Sequence, residues 1–142
     1  MTALIEMVDK IRTRQLIFEA KGGILTDEES RTLEKYLNFS ARLCIGVIGD
    51  KLCCAWGLIP PSILSERAYL WLFTTEAVDE HKFIFVRNSQ RAVQEMLEEW
   101  PIITGFCEIG NDRSIRWLRW LGAVFFDPQG KFLPFEIRKK NG

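Results

Sequence analysis

Two apolar runs separated by an amphipathic stretch constrain the fold of this chain more than any other feature. Residues 68–75 read AYLWLFTT and residues 102–109 read IITGFCEI. A strand that is apolar on both faces belongs in the middle of a covered sheet. Between the runs, residues 80–99 place apolar side chains at helical spacing, and Pro101 ends this helix. The sequence therefore predicts two parallel strands joined by a right-handed helical crossover.

The chain before this unit is predicted to form two helices and a hairpin. Residues 3–20 carry apolar side chains at roughly helical spacing, which predicts a first helix. Thr26 and Glu29, three residues apart, form a capping box, which predicts a second helix over residues 27–38. Residues 49–51 read GDK and separate two runs rich in β-forming residues, the signal of a hairpin.

After the unit, a short helix over residues 112–121 and two strands around residues 128–130 complete the predicted elements. The chain is thus an α/β (α+β) mixture. A length of 142 residues favours one domain over 1–142, and neither a linker nor a repeat interrupts it.

Composition excludes several classes of protein. The chain is 47% hydrophobic and 27% charged, and its formal net charge is zero, so nothing attracts it generally to nucleic acid or to an anionic membrane. No run approaches the roughly 18 apolar residues of a membrane span. Glu6 and Asp9 interrupt the first apolar stretch, which therefore does not read as a signal peptide.

The four cysteines and the single histidine, His81, lack the spacing of a metal site. We therefore expect no metal. Cysteines in apolar strands are typically buried free thiols, and free thiols indicate a reducing compartment.

The stretch NDRSIRWLRWLGAVF, residues 111–125, admits more than one interpretation. On a helix, Ile115, Leu118 and Leu121 fall near one face, and the arginines fall on another. The simpler interpretation is an amphipathic helix that covers a sheet with its apolar face.

The arginines of this stretch suggest a second interpretation. Arg113, Arg116 and Arg119 form a basic stripe beside two tryptophans, and such a stripe is able to contact phosphates or stack on bases. The neutral chain carries no accompanying nucleic-acid signature, so we favour solvent-exposed positions for Arg113 and Arg116.

The same stretch resembles the last motif of the GNAT superfamily of N-acetyltransferases. In that motif an Asn ends a strand, a small residue follows, an aliphatic–Tyr pair comes next, and a Leu-Gly turn leads into the following strand. Asn111, Ser114, Trp117-Leu118 and Leu121-Gly122 stand at the matching positions here. The order of elements resembles the superfamily over nearly the whole chain.

The likeness is closer to a GNAT-like family of tailed phages that is related to a small internal virion protein. Its members carry runs similar to YLWLFTT, FVRNSQRAV, EWPII and SIRWL in this chain. The resemblance is specific over residues 68–126 and weak before residue 40.

The resemblance implies a GNAT-like mixed, mostly antiparallel sheet with a parallel, splayed central strand pair, flanked by helices. It also implies that acetyl-CoA lies between those two strands. Its pantetheine arm would follow the first strand and contact Asn111, and the helix start near His81 would hold its pyrophosphate. The residues implied to contact acetyl-CoA are Leu72, Phe73, Thr74, Thr75, His81, Lys82, Asn111 and Ser114.

The chain departs from the superfamily pattern in two places. The segment after the first central strand reads TTEAVDEHKF and lacks the glycine-rich loop that usually holds the pyrophosphate. Leu118 stands where the superfamily often places the Tyr that protonates the leaving thiolate, and a leucine transfers no proton. Glu108 or Glu76, each at the end of a central strand, is then the candidate general base for an amine.

Two functions are consistent with this sequence. The first is a phage GNAT-like, acetyl-CoA-dependent N-acyltransferase of weak activity that acts on an amine. The alternative is a non-catalytic phage protein that retains the fold and associates with the virion or binds a host protein. We expect a location in the host cytoplasm or, for the alternative, in the virion, with no membrane or nucleic-acid partner.

Overall fold

The computed structural model describes the backbone of residues 3–7 and 9–140 and the side chains of residues 9–81 and 83–140. The helices are α1 (Lys10–Ala20), α2 (Asp27–Phe39), α3 (Ala77–Glu80), α4 (Lys82–Glu99) and α5 (Asp112–Trp120). The strands are β1 (Ala3–Met7), β2 (Arg42–Ile48), β3 (Lys51–Ile59), β4 (Arg67–Thr74), β5 (Ile102–Glu108), β6 (Val124–Phe125) and β7 (Phe132–Arg138). They hydrogen-bond in the order β1-β2-β3-β4-β5-β7-β6.

The chain divides into two compact units. Unit 1 consists of Met1–Ile59 and Trp71–Phe85, and unit 2 consists of Pro60–Leu70 and Val86–Gly142. Two elements contribute to both units, because β4 begins in unit 2 and ends in unit 1, and α4 begins in unit 1 and ends in unit 2. The single domain over 1–142 stays a prediction.

Unit 1 begins with a strand, so the helix predicted over residues 3–20 is wrong at its start. β1 pairs antiparallel with β2 along its whole length. α1 begins after Asp9, whose carboxylate accepts a hydrogen bond from the N–H of Arg12 at 2.8 Å. Pairing with a neighbouring strand overrides local helical spacing, and Asp9 as N-cap is the signal for the later start. Val8, which the predicted helix includes, lies outside the described residues.

The other predicted elements of unit 1 are confirmed. The Thr26 hydroxyl accepts from the N–H of Glu29, and the Glu29 carboxylate accepts from the N–H of Thr26, both at 3.1 Å, so the capping box starts α2. β2 and β3 form the predicted antiparallel hairpin, with Gly49 in the left-handed region at φ 61°. Nearly every residue of these two strands is buried, which makes them the core of unit 1.

The helix predicted over residues 80–99 is interrupted near its start. α3 is a single turn that ends where the His81 N–H donates to the Val78 carbonyl at 3.3 Å. The Phe85 N–H then donates to the His81 carbonyl at 3.2 Å as α4 begins. The spacing of the apolar residues does not reveal this interruption, because it continues through both helices.

Unit 2 contains the predicted parallel pair. Arg67 lies opposite Ile102, and the register continues to Tyr69 opposite Thr104. β5 also pairs antiparallel with β7, and β7 pairs antiparallel with β6, as expected for the last two strands. The buried apolar core of unit 2 includes Val93, Met96, Leu97, Trp100, Ile103, Cys107, Leu118, Leu121, Phe135 and Ile137.

Candidate functional site

Unit 1 contains an open cavity of about 330 Å³ lined by residues of α1, α2 and β4, which we call the α1–α2 cavity. Its volume lies within the range of small-molecule binding sites, which are mostly apolar with a few polar groups. The residues that line it are Ile17, Lys21, Leu25, Glu28, Glu29, Thr32, Leu33, Tyr36, Trp71, Leu72 and Phe73.

The register of α2 decides which of its side chains reach the cavity. Glu28, Thr32 and Tyr36 follow one another at intervals of four residues, so they lie along one side of the helix. Glu29 and Leu33 form the neighbouring row at the same interval. The capping box fixes the first residue of α2.

A chain of hydrogen bonds holds the aromatic wall of the cavity. The Trp71 Nε1 donates to the Ser40 hydroxyl at 2.8 Å, and that hydroxyl donates to the Tyr36 carbonyl at 2.6 Å. The rings of Tyr36 and Trp71 stack with centroids 5.5 Å apart and planes at 12°. A Cβ on Gly57 of β3 would collide with the indole and would meet the Ser40 hydroxyl at 2.6 Å. The absence of a side chain at Gly57 therefore makes room for Trp71.

The charged groups of the cavity are two carboxylates and one ammonium. The Lys21 Nζ lies 2.6 Å from the Glu29 carboxylate. The hydrogen bond from Lys21, with further bonds from Thr26, lowers the pKa of Glu29 from 4.5 to about 2. Glu28 is exposed and has no hydrogen-bond or ion-pair partner among the residues that the structure describes. Glu28 is thus the carboxylate that remains available to a ligand.

Leu72 and Phe73, two of the predicted cofactor contacts, line this cavity and are half-buried. Thr74 ends β4 and is also half-buried. Thr75 is engaged with β3, because its N–H donates to the Cys53 carbonyl at 2.9 Å and its hydroxyl donates to the Leu52 carbonyl at 2.8 Å. The backbone N–H of Thr75 therefore already has a partner.

The remaining predicted residues of unit 1 surround α3. Glu76 precedes α3, is exposed and makes no side-chain capping bond. His81 is half-buried and stands between α3 and α4. Lys82 is the first residue of α4, and its side chain lies outside the described part of the chain.

The predicted residues of unit 2 lie around the start of α5. The Asn111 Oδ1 accepts from the Ser114 N–H at 3.3 Å, so Asn111 is the N-cap of this helix. Ser114 is buried, while Glu108 is exposed at the end of β5 and its carbonyl accepts from the Asn111 N–H at 3.1 Å. The cap uses the carbonyl oxygen of the Asn111 side chain and leaves its amide nitrogen as a donor.

The faces of α5 differ in part from the prediction. Leu118 and Leu121 are buried as expected, with Leu118 at 2% exposure. Ile115 is only half-buried, and Ser114 takes the buried position beside Leu118. Arg116 is exposed as predicted, but Arg113 is half-buried and makes an interaction, so its predicted solvent exposure is wrong. At 100° per residue Ser114 falls between Leu118 and Leu121, whereas Ile115 lies to one side of them, so the helical projection agrees with the observed burial.

Sequence reasoning missed Lys21, Glu28, Tyr36 and Trp71 as cavity residues. The four-residue rows of α2 were the available signal, because they contain a carboxylate and an aromatic ring on one side of a helix. That signal does not identify the residues that face α2 across the cavity. Trp71 is contributed by β4, and only tertiary packing brings it to Tyr36.

The thiols are structural. All four cysteines are free and buried, as predicted. Burial raises the pKa of Cys53, Cys54 and Cys107, so these thiols stay protonated and are poor nucleophiles.

The described part of the chain shows neither a cluster of potential metal ligands nor a membrane-spanning helix. No group of three or more His, Cys, Asp or Glu side chains there is able to hold a metal ion. No helix there is both long and apolar enough to cross a membrane.

Sequence comparison relates part of the chain to a phage protein family. Residues 63–129 match the model of the family described as bacteriophage T7, probable scaffold protein Gp13. This match covers less than half of the 142 residues. No curated protein matches the chain in sequence.

Solved structures relate the whole chain to acetyltransferases. The IAA acetyltransferase from Bacillus cereus superposes with a TM-score of 0.71 at 11% identity, covering 97% of this chain and 100% of its own. The PaiA N-acetyltransferase from Thermoplasma acidophilum, in complex with coenzyme A, gives 0.68 at 15% identity, with 98% and 100% coverage. The N-acetyltransferase PseH from Campylobacter jejuni, in complex with acetyl coenzyme A, gives 0.65 at 12% identity, with 96% and 100% coverage. The chain therefore has the mixed α/β fold of the GNAT N-acetyltransferases.

Proposed function

We propose that this protein is an acetyl-CoA-dependent N-acyltransferase whose amine substrate binds in the α1–α2 cavity. The cavity is the observation that carries the proposal, because it joins an aromatic wall to an available carboxylate, Glu28. The fold supports the proposal as well, since similar structures of N-acetyltransferases contain coenzyme A or acetyl coenzyme A.

The start of α4 has one feature that favours a phosphorylated cofactor, although Asp79 and Glu80 of α3 come just before it in the chain. This helix has 18 residues, and no acidic residue lies in its first turn. A helix N-terminus favours anions because of its backbone N–H groups and its dipole. His81 and the first turn of α4 would hold the phosphates, and the backbone of Leu72 and Phe73 would pair with the pantetheine arm. The contact of Asn111 with that arm stays a prediction. When bound, acetyl-CoA supplies an acyl group activated as a thioester.

The chain's own residues would act on the amine. The cavity orients it and limits its contact with water, and positioning alone accounts for much of the acceleration in transfers of this kind. An ammonium has to lose a proton before its nitrogen is nucleophilic. Glu28 is the carboxylate of the cavity that has no partner among the described residues, so it is our candidate base. Glu76 and Glu108 stay predictions for this role. Leu118 is buried and supplies no proton, so we propose a slow enzyme.

Cofactor binding is tested by calorimetry and thermal unfolding with acetyl-CoA. We expect Lys82→Ala to weaken binding by about ten- to a hundredfold through the loss of one charge-assisted contact. Asn111→Asp is expected to weaken it comparably, because aspartate keeps the helix cap but lacks the amide donor. Added salt should weaken binding to the unmodified protein. If millimolar acetyl-CoA produces neither binding heat nor a shift in melting temperature, the proposal is wrong.

The family match favours a second candidate function. Residues 63–129 resemble a probable phage scaffold protein, and this range contains the whole of α5 with its buried Leu118. The second candidate is therefore a phage protein without catalytic activity that associates with the virion or binds a host protein. Absence of acyl transfer to any amine in a broad panel, together with retention of the protein in purified particles, would favour it over the enzyme.

A further inference from the structure

The α1–α2 cavity carries an unbalanced charge. Its ionisable lining residues are one lysine, Lys21, and two glutamates, Glu28 and Glu29, which leaves a surplus of one negative charge. Lys21 and Glu29 satisfy each other at 2.6 Å. The hydrogen bond from Lys21 lowers the pKa of Glu29 to about 2, so these two charges offset each other and the surplus charge lies on Glu28.

The rest of the lining is mostly apolar. Tyr36 is half-buried and stacks on the buried Trp71, and Leu25, Leu33 and Leu72 add aliphatic surface. The hydrogen bonds through Ser40 hold the indole in place before any ligand arrives. A fixed aromatic wall binds flat apolar groups without a large ordering cost, and the faces of its rings attract cations.

We propose that the cavity selects primary amines whose ammonium is carried on an aromatic body. The ring packs against Tyr36, which the buried Trp71 supports from behind, and the ammonium pairs with Glu28. The inference rests on the proposed function only in taking this amine as the acyl acceptor. The surplus negative charge disfavours anionic ligands. Linear polyamines carry two or more ammonium groups and little apolar surface. We expect them to bind weakly, because the cavity offers one available carboxylate and a mostly apolar lining.

Tryptamine is the probe that tests this class. We expect saturable binding by calorimetry, measured both without coenzyme A and with it. The neutral analogue indole-3-ethanol should bind about two- to fivefold more weakly, because it keeps the ring and lacks the charge near an exposed carboxylate. The diamine 1,4-diaminobutane should bind more weakly than tryptamine, because it lacks the ring.

Two variants of α2, each with a matched control, locate the site. Glu28→Gln should weaken tryptamine binding about two- to fivefold and leave the binding of indole-3-ethanol unchanged. Asp27→Asn is the matched control, because Asp27 lies in the same helical turn but not in the cavity lining. Thr32→Trp should prevent ring binding by filling the cavity from an exposed helical position, whereas Lys35→Trp, also exposed on α2 but outside the lining, should not.

The outcomes separate this inference from the proposed function. Tryptamine binding that Thr32→Trp removes supports the aromatic-amine site even if acetyl-CoA does not bind. Acyl transfer to 1,4-diaminobutane but not to tryptamine would support the enzyme and overturn the substrate class. Equal binding of tryptamine and indole-3-ethanol, or no tryptamine binding with and without coenzyme A, would overturn the inference directly.

Discussion

The α1–α2 cavity of unit 1 and the start of α5 in unit 2 use their polar groups in opposite ways. At α5, the side-chain oxygen of Asn111 and the N–H of Ser114 satisfy each other, and the helix buries Leu118. In the cavity, Glu28 has no partner among the described residues, and two aromatic rings border the space beside it. The region that resembles a known motif thus pairs its polar groups with each other and buries Leu118, whereas the cavity lining includes one carboxylate without a partner in the described part of the chain.

The largest expected effect tests whether α5 is mainly structural. Leu118→Ala should lower the free energy of unfolding by about 2–5 kcal/mol, because it deletes a buried side chain and leaves a cavity. Arg116→Ala should change it by about half a kcal/mol or less, since Arg116 is exposed. Chemical denaturation of the two variants measures the difference. Equal losses would contradict the assignment of faces on α5 and weaken the contrast between the two regions.

The next effect tests how the aromatic wall of unit 1 is built. Gly57→Ala should cost about 1–3 kcal/mol, because the new methyl group has to displace the Trp71 indole or the Ser40 hydroxyl. The same substitution should cost less in a Trp71→Phe background, where the smaller ring leaves room. A double-mutant cycle measures this coupling. Additive costs would show that the indole does not require a glycine beneath it.

In these two regions, contacts between residues close in the sequence were predictable, and contacts between distant residues were not. The capping box of α2 and the N-cap of α5 each join residues three positions apart, and a local pattern is enough to predict them. The bond between Trp71 and Ser40 joins residues 31 positions apart. No periodicity in β4 or α2 specifies that partner, because the contact depends on how the elements pack.

The wrongly predicted first helix has a related cause. The spacing of apolar residues in 3–20 is compatible with a helix, but residues 3–7 pair with β2, a distant segment of the chain. Strand pairing is a tertiary effect that local propensity does not contain. The parallel β4–β5 pair was predictable because an apolar strand, a helix and a second apolar strand in succession favour one topology.

A smaller effect separates the two roles assigned to Asn111. Asn111→Ala should cost about 1 kcal/mol of stability, because the N–H of Ser114 loses its cap. Asn111→Asp should cost little, since aspartate caps a helix as well as asparagine does. If both variants bind acetyl-CoA as the unmodified protein does, Asn111 is only a helix cap. Thermal unfolding provides the stability half of this comparison, and calorimetry provides the binding half.

The smallest expected effect concerns the ion pair that leaves Glu28 available. The pKa of Glu29 is about 2 in the folded protein, below its ordinary 4.5, mainly because of the hydrogen bond from Lys21. A carboxylate with a lowered pKa stabilises the fold above its unfolded pKa and loses that contribution as the pH falls toward the folded value. The melting temperature of Glu29→Gln should therefore lie below that of the unmodified protein at neutral pH. The gap should narrow between about pH 4.5 and pH 2.

Lys21→Met sharpens the same test and connects it to the cavity. Without the lysine, the pKa of Glu29 should rise toward its ordinary value, so its pH-dependent contribution to stability should be smaller and should be lost completely at a higher pH. The cavity would then hold two carboxylates without an ammonium, so tryptamine should bind more tightly to Lys21→Met than to the unmodified protein, while indole-3-ethanol should not. A parallel titration of both ligands measures this. If Lys21→Met leaves tryptamine affinity unchanged, the charge of the cavity does not act on its ligand, and the available carboxylate loses the role that distinguishes this region from the start of α5.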